Sequence, residues 1–279
     1  MCEVYNLLGS ALRAPVLETF ELKVVLADIF VLLKDVKTPE ELYKVLRDNE
    51  LIELSKKDED IQLVSVGLVI RKLVSILFLS HTFEKPAAVE DSTRKLGESF
   101  NDLHFKGLQY GCSERGTEKI IHFTRQSLEL HPDRDHFFID AENAFNQVTR
   151  WKALARIKEH FPFIIPFLSK IYGEDSNGWF FGHNCEEARF TTGIPSLEGV
   201  HQGDVLGSWI HCMATLPFVQ ELANLVGEDG SLKFFIDDGN LSAPFTKMTE
   251  ALDYIFDKGP GKLRGQRGVY RKQAGEETG

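Results

Sequence analysis

At 279 residues, with 43% hydrophobic and 27% charged residues, the chain has ample length for a buried core and an ordinary globular composition. A formal net charge of -10 and a pI near 5.4 argue against a general polyanion-coating protein, although they leave room for a local basic groove. Cys2, Cys112, Cys185 and Cys212 are scattered without a C-x-x-C pair, which excludes a disulfide framework or zinc ligand set and fits a reducing compartment. The most apolar early run, Val24 to Leu33, is broken by Asp28 and flanked by Lys23 and Lys34, so no membrane span is expected. Glu3 and the lack of a basic leader argue against a secretory signal, and the expected location is intracellular, in cytoplasm or nucleus.

In chain order, residues 1–55 read as an acidic helical region. Thr38-Pro39-Glu40-Glu41 has the form of a helix start, with Thr38 as cap and Leu42, Val45 and Leu46 as the apolar face. Residues 56–135 form a second region. The charged turn from Leu54 to Ile61 leads into it, followed by a hairpin strand (Leu63 to Val66) and a helix carrying Val69, Leu73, Val74 and Leu77. Gly107-Leu108-Gln109-Tyr110-Gly111 is bracketed by glycines, as a segment packing closely against another element would be. Glu118 to Glu129 reads as an amphipathic helix with Ile121 and Leu128 inward.

Residues 136–258 form the third region. His136-Phe137-Phe138-Ile139-Asp140 is an apolar strand ending in a carboxylate. Two helices follow, one marked by Trp151, Leu154 and Ala155 and one by Ile164, Phe167, Leu168 and Ile171. Trp179-Phe180-Phe181 and Ala188 to Thr192 read as a strand pair, and Gly199 to Gly207 as a glycine-rich turn opening a long helix kinked at Pro217. Lys233 to Ile236 is a short strand, Asp238-Gly239 a hairpin turn signal, and Met248, Ala251, Leu252 and Ile255 mark a last helix. From Gly259 to Gly279 the tail is basic, glycine-rich and without apolar periodicity, and is expected to be disordered.

Three of these stretches carry chemistry together. Strands ending in Asp140 and in Asp237-Asp238 can bring carboxylates side by side, and a pair of Mg²⁺ ions wants such hard oxygen ligands. Alone, Asp-Asp-Gly-Asn is most often an exposed turn; the ordered combination with the Gln202-Gly203 turn is far more specific. A hydrolase using Asp140 and Asp237 as acid and base would instead need carboxyls about 5–9.5 Å apart with no metal between them.

The combination resembles the reverse transcriptase domain of non-LTR retrotransposons. Phe138-Ile139-Asp140-Ala141-Glu142-Asn143-Ala144-Phe145-Asn146 is similar to its first catalytic motif, Gly199-Val200-His201-Gln202-Gly203-Asp204-Val205-Leu206-Gly207 to its second, and Phe235-Ile236-Asp237-Asp238-Gly239 to its third. Lys57 to Leu73 and Gly107 to Gly111 are similar to its fingers region, so the resemblance covers roughly residues 50–258. It implies an α+β right-hand polymerase fold: fingers and palm, the antiparallel palm sheet backed by helices. It implies catalytic, metal-binding Asp140, Asp237 and Asp238 with two Mg²⁺ ions, and Phe145 as a steric gate against a ribose 2′-hydroxyl. Gln202 and Gly203 would line the nucleotide and template pocket, and Lys57 would meet the incoming triphosphate. The implied reaction adds deoxynucleoside triphosphates to a DNA primer 3′-hydroxyl on an RNA template.

The chain departs from the family at Gln62-Leu63, where an arginine and proline are usual, and at Val205, where proline is usual. The lost guanidinium removes a planar donor fork for phosphate. The match stops near Gly259, so a thumb is not expected. A catalytically inactive, retrotransposon-derived relic acting as a binding module is the alternative reading.

Overall fold

The computed structural model describes residues 39–55, 61–84, 105–113, 115–141, 143–180, 193–259 and 263–266. Among these no helix is long and apolar enough to cross a membrane. The fold is α+β, as expected, and the chain divides into two compact units, residues 1–92 with 148–210 and residues 93–147 with 211–279.

In the first unit, α1 (Glu40–Arg47) leads into the antiparallel hairpin β1 (Asn49–Ser55) and β2 (Ile61–Gly67), followed by α2 (Val69–Glu84). After the second unit's first segment come α4 (Arg150–His160), a 3₁₀ turn (Pro162–Ile164), α5 (Ile165–Tyr172), β4 (Ser176–Phe180) and β5 (Ile194–Ser196). The strand order is β2-β1-β4-β5; β1 and β4 are parallel, while β4 and β5 are antiparallel. Pro195 sits in β5 at the sheet edge, where its missing N–H costs no ladder bond. Phe167, Leu168 and Ile171 are buried as their spacing predicts.

Two helix faces in this unit differ from the sequence reading. In α1, Tyr43, Leu46 and Arg47 face inward, whereas Val45 is 51% exposed. The Tyr43 ring and the Arg47 stem supply apolar surface that a count of aliphatic residues overlooks. In α4 the buried stripe is Arg150, Ala153 and Ile157, and Trp151 is 68% exposed. The expected cap Thr38, the strand Ala188 to Thr192 and residue Lys57 lie outside the described residues.

The second unit comprises α3 (Gly116–Leu130), β3 (Asp135–Ala141), β6 (Ser231–Phe235), β7 (Asp238–Ala243), α7 (Phe245–Lys258) and β8 (Leu263–Gln266). The long helix α6 (Val205–Val226) runs on through Pro217, its first six residues belonging to the first unit and the rest to the second. All pairings in the sheet, of order β6-β7-β3-β8, are antiparallel. Strand alternation sends Phe137 and Ile139, Leu232 and Phe234, and Leu241 and Ala243 to one face, where they meet Leu222 of α6 and Ala251 and Ile255 of α7. These side chains form the core of the unit.

Three expectations change here. The inward stripe of α3 runs through Gly116, Ile120, Phe123, Thr124 and Ser127, leaving Ile121 and Leu128 exposed. The β6–β7 turn consists of Ile236 and Asp237; Asp238 already pairs with Phe235 as the first residue of β7. Gly239 is therefore a packing glycine, since a Cβ there would stand 2.6 Å from the Phe234 ring. Finally, Leu263–Gln266, in the tail expected to be disordered, pairs with β3 from Phe138 to Ala141. The free edge of β3 offers a ladder of backbone groups that a strand needs no apolar periodicity to join.

Candidate active site

The aspartates converge through β-sheet register. Ile139 pairs with Gly239, so the antiparallel ladder carries Asp140 on toward Asp238, both on the face opposite the core. Asp237 sits beside them in the turn. Asp237 and Asp238 are both pushed above the usual carboxylate range. Burial is the largest cause in each, followed by repulsion: Asp140 acts on both, and Asp238 also acts on Asp237. No described ion pair involves any of the three. Among the described residues, no three or more His, Cys, Asp or Glu side chains are grouped so as to hold a metal ion on their own.

The turn itself is strained. Ile236 has φ +59, a left-handed value that is an outlier for a β-branched residue and costs on the order of 1–3 kcal/mol. Such a conformation persists only where its surroundings fix it, and here Gln109, 2% exposed, lies against the turn. The Ile236 N–H donates to Gln109 Oε1 at 2.8 Å, and Gln109 Nε2 donates to the Ile236 carbonyl at 2.9 Å. Oε1 also accepts from the Gly111 N–H at 2.9 Å. On either side of Gln109, the Phe234 N–H donates to the Leu108 carbonyl and the Tyr110 N–H to the Phe234 carbonyl, each at 2.7 Å. A Cβ on Gly111 would stand 2.8 Å from the Ile236 nitrogen, so the glycine-bracketed segment does pack closely, and against this turn.

Phe145 lies on the loop after β3, half-buried and stacked on His211 of α6 with ring centroids 5.3 Å apart. Burial holds His211 down to about 4, so the ring is neutral at ordinary pH, and it hydrogen-bonds the Ala144 backbone. Gln109 and His211 both escaped the sequence reading; the only signal was the glycine bracket around the first.

Gln202 and Gly203 belong to the first unit, where a buried ion pair fixes their turn. The Gly203 N–H donates to the Ser65 carbonyl of β2 at 3.1 Å, and a Cβ on Gly203 would collide with that oxygen at 2.3 Å. Gln202 is left exposed beside it. The adjacent Asp204, 2% exposed, accepts from Arg71 Nη2 and from the Tyr172 hydroxyl, each at 2.5 Å. Its other oxygen accepts from the Leu206 N–H at 3.3 Å, capping α6. Arg71 Nη2 also donates to His201 Nδ1 at 2.9 Å, and Nη1 to Asn49 Oδ1 at 3.0 Å. Burial, then the Arg71 charge, hold His201 down to about 3.

No family model and no curated protein matches this chain in sequence. Solved telomerase structures match it in fold. The telomerase of Candida albicans in complex with a TWJ fragment of telomeric RNA is 11% identical with a TM-score of 0.51, the match covering 82% of this chain and 44% of that one. Apo telomerase from Candida tropicalis is 11% identical with a TM-score of 0.51, covering 80% and 45% respectively. The chain thus spans less than half of either structure. At such identity the likeness establishes the fold alone: a telomerase-like arrangement of helices and mainly antiparallel sheets.

Proposed function

We propose that this chain is the fingers-and-palm portion of a reverse transcriptase of the non-LTR retrotransposon type, adding deoxynucleotides to a primer 3′-hydroxyl on an RNA template. The observation that carries the reading is the register of β3 against β7, which extends to bring Asp140 toward Asp238 with Asp237 in the adjoining turn. The fold likeness to telomerase, itself a specialised reverse transcriptase, supports the same class.

The carboxylates fit the implied metal chemically. They are hard oxygen donors on one face, and two of them are raised in pKa by burial and mutual repulsion, as an anionic site awaiting a cation would be. Magnesium is usually held by one or two carboxylates together with waters and substrate phosphates, which does not require a three-ligand cluster of protein groups. Two Mg²⁺ ions, when bound, would supply activation of the attacking hydroxyl and neutralisation of the leaving pyrophosphate. Asp140 and Asp237 would be the shared ligands, with Asp238 assisting. Phe145, held by His211, would present its ring to the sugar edge and disfavour a 2′-hydroxyl. Gln202 and Gly203 would meet nucleotide and template, and Lys57 the triphosphate.

Primer extension on a homopolymeric RNA template with Mg²⁺ tests the reading. Incorporation by the native protein and none by a folded Asp237→Ala variant is expected. Full activity in that variant would sink the aspartate site, and no incorporation by folded native protein would favour the inactive relic.

A further inference from the structure

The geometry points to Gln109 as a positioning residue for the aspartate turn, one that sets turnover rather than substrate binding; this rests on the polymerase reading above. A single primary amide engages both backbone groups of Ile236, donating to its carbonyl and accepting from its N–H. The first central residue of a two-residue hairpin turn has no ladder partner of its own, so these bonds hold what the sheet leaves open. Ile236 needs that hold because it is a β-branched residue at positive φ, and the next residue in the chain is Asp237. Rotation of the Ile236 peptide units toward an ordinary conformation would re-aim the Asp237 carboxylate. Gln109 cannot drift with the turn: its Oε1 is also tied to the Gly111 N–H, and Leu108 and Tyr110 are bonded to Phe234 of β6.

The chemistry of the side chain is specific. The site needs a donor and an acceptor on one planar group, with Oε1 serving two N–H groups. Methionine matches the size and offers neither function. Glutamate at neutral pH accepts from both N–H groups but sets a carboxylate oxygen against the Ile236 carbonyl. Once protonated, the same carboxyl both donates and accepts, and so reproduces the amide.

Two measurements on the full chain test the assignment: steady-state primer extension, and hydrogen exchange at individual amides. Gln109→Met is expected to lower kcat by roughly tenfold to a hundredfold, the scale of a misplaced catalytic group. KM for the nucleotide should stay within about threefold, since substrate contacts are retained. Exchange at the Ile236 amide should accelerate, while ladder positions such as Leu241, opposite Phe137, keep native protection. Gln109→Glu should share the defect at neutral pH, and its rate and Ile236 protection, each relative to native protein at the same pH, should recover as the solution is acidified. Native kcat in Gln109→Met, or unchanged Ile236 exchange in both variants, would overturn the assignment. So would an equal loss of protection across β3, β6 and β7 in both variants, which would make Gln109 a fold residue only. If native protein incorporates nothing, the polymerase reading fails and the exchange data alone decide whether Gln109 holds the turn.

Discussion

Aspartates occur in two contrasting settings in this molecule. Asp204 in the first unit is almost wholly buried, and burial alone would push its carboxyl up; the Arg71 charge, with hydrogen bonds from Tyr172 and Arg71, outweighs that and holds it below the usual range. Asp237 and Asp238 in the second unit lie nearer solvent and are nevertheless held above that range, by burial and by the Asp140 charge, to which Asp238 adds its own at Asp237. A buried charge with a partner is architecture. A cluster of like charges with no described partner costs folding free energy, and is the arrangement expected where binding supplies the counter-charge.

The comparison is most severely tested by breaking the partnered site. Arg71→Met would strand the Asp204 carboxylate inside the first unit, where Asn49, Tyr172 and His201 also lose their guanidinium contact. A loss of about 3–5 kcal/mol in urea denaturation is expected, the range for removing one member of a buried pair. Replacing Asp204 by leucine in the same chain should restore part of it, because no uncompensated charge then remains. If Arg71→Met alone is neutral, the pair is not what fixes the Gln202-Gly203 turn.

The pH dependence of stability should separate the two settings by sign. The folded pKa of Asp204 lies below its ordinary value of 3.8, so its contribution is fully present above that pH and is lost as pH falls through the folded value. The folded pKa values of Asp237 and Asp238 lie above 3.8, so their ionisation destabilises the fold, and that cost disappears as acidification protonates them. Compared with an Asp237→Asn, Asp238→Asn double variant, native protein should therefore close its stability deficit as pH is lowered toward about 4. Below that pH both proteins should lose the Asp204 pair alike. Parallel curves from neutral pH to about 4 would show that the aspartates carry no such cost.

What the sequence displayed and what it hid divide along the same line. Asp140, Asp237 and Asp238 were legible because each follows an apolar strand, and strand alternation is local information. The buried stripes of α5 and α7 came from periodicity in the same way, whereas the α+β class came from the family resemblance of the three motifs. The position of the turn was not legible: Asp-Gly is a strong hairpin signal, and only a partner 127 residues away in sequence, Gln109, explains why Ile236 takes the strained position instead. Arg71 and Asp204 are likewise 133 residues apart, and neither neighbourhood announces a buried pair. Helix faces failed where large aliphatic residues drew the reading outward. Ile121 and Leu128 looked inward by hydrophobicity, but the most buried residues of α3 are Gly116 and Ser127, on the stripe that also carries Ile120 and Phe123.

The smallest effect is the sharpest discriminator between a site built for a ligand and a merely unfavourable turn. Asp238→Asn preserves shape and removes one charge from an exposed position, so solvent screening limits the stability gain in urea denaturation to about a few tenths of a kcal/mol. That gain should hold only without divalent cation. With Mg²⁺ present, native protein should gain stability by mass action, whereas the variant, which keeps only a neutral amide oxygen at that position, should gain less. The order of stabilities would then reverse between the two conditions. A variant that gains as much stability as native protein at every Mg²⁺ concentration would mean that Asp238 contributes nothing to cation binding.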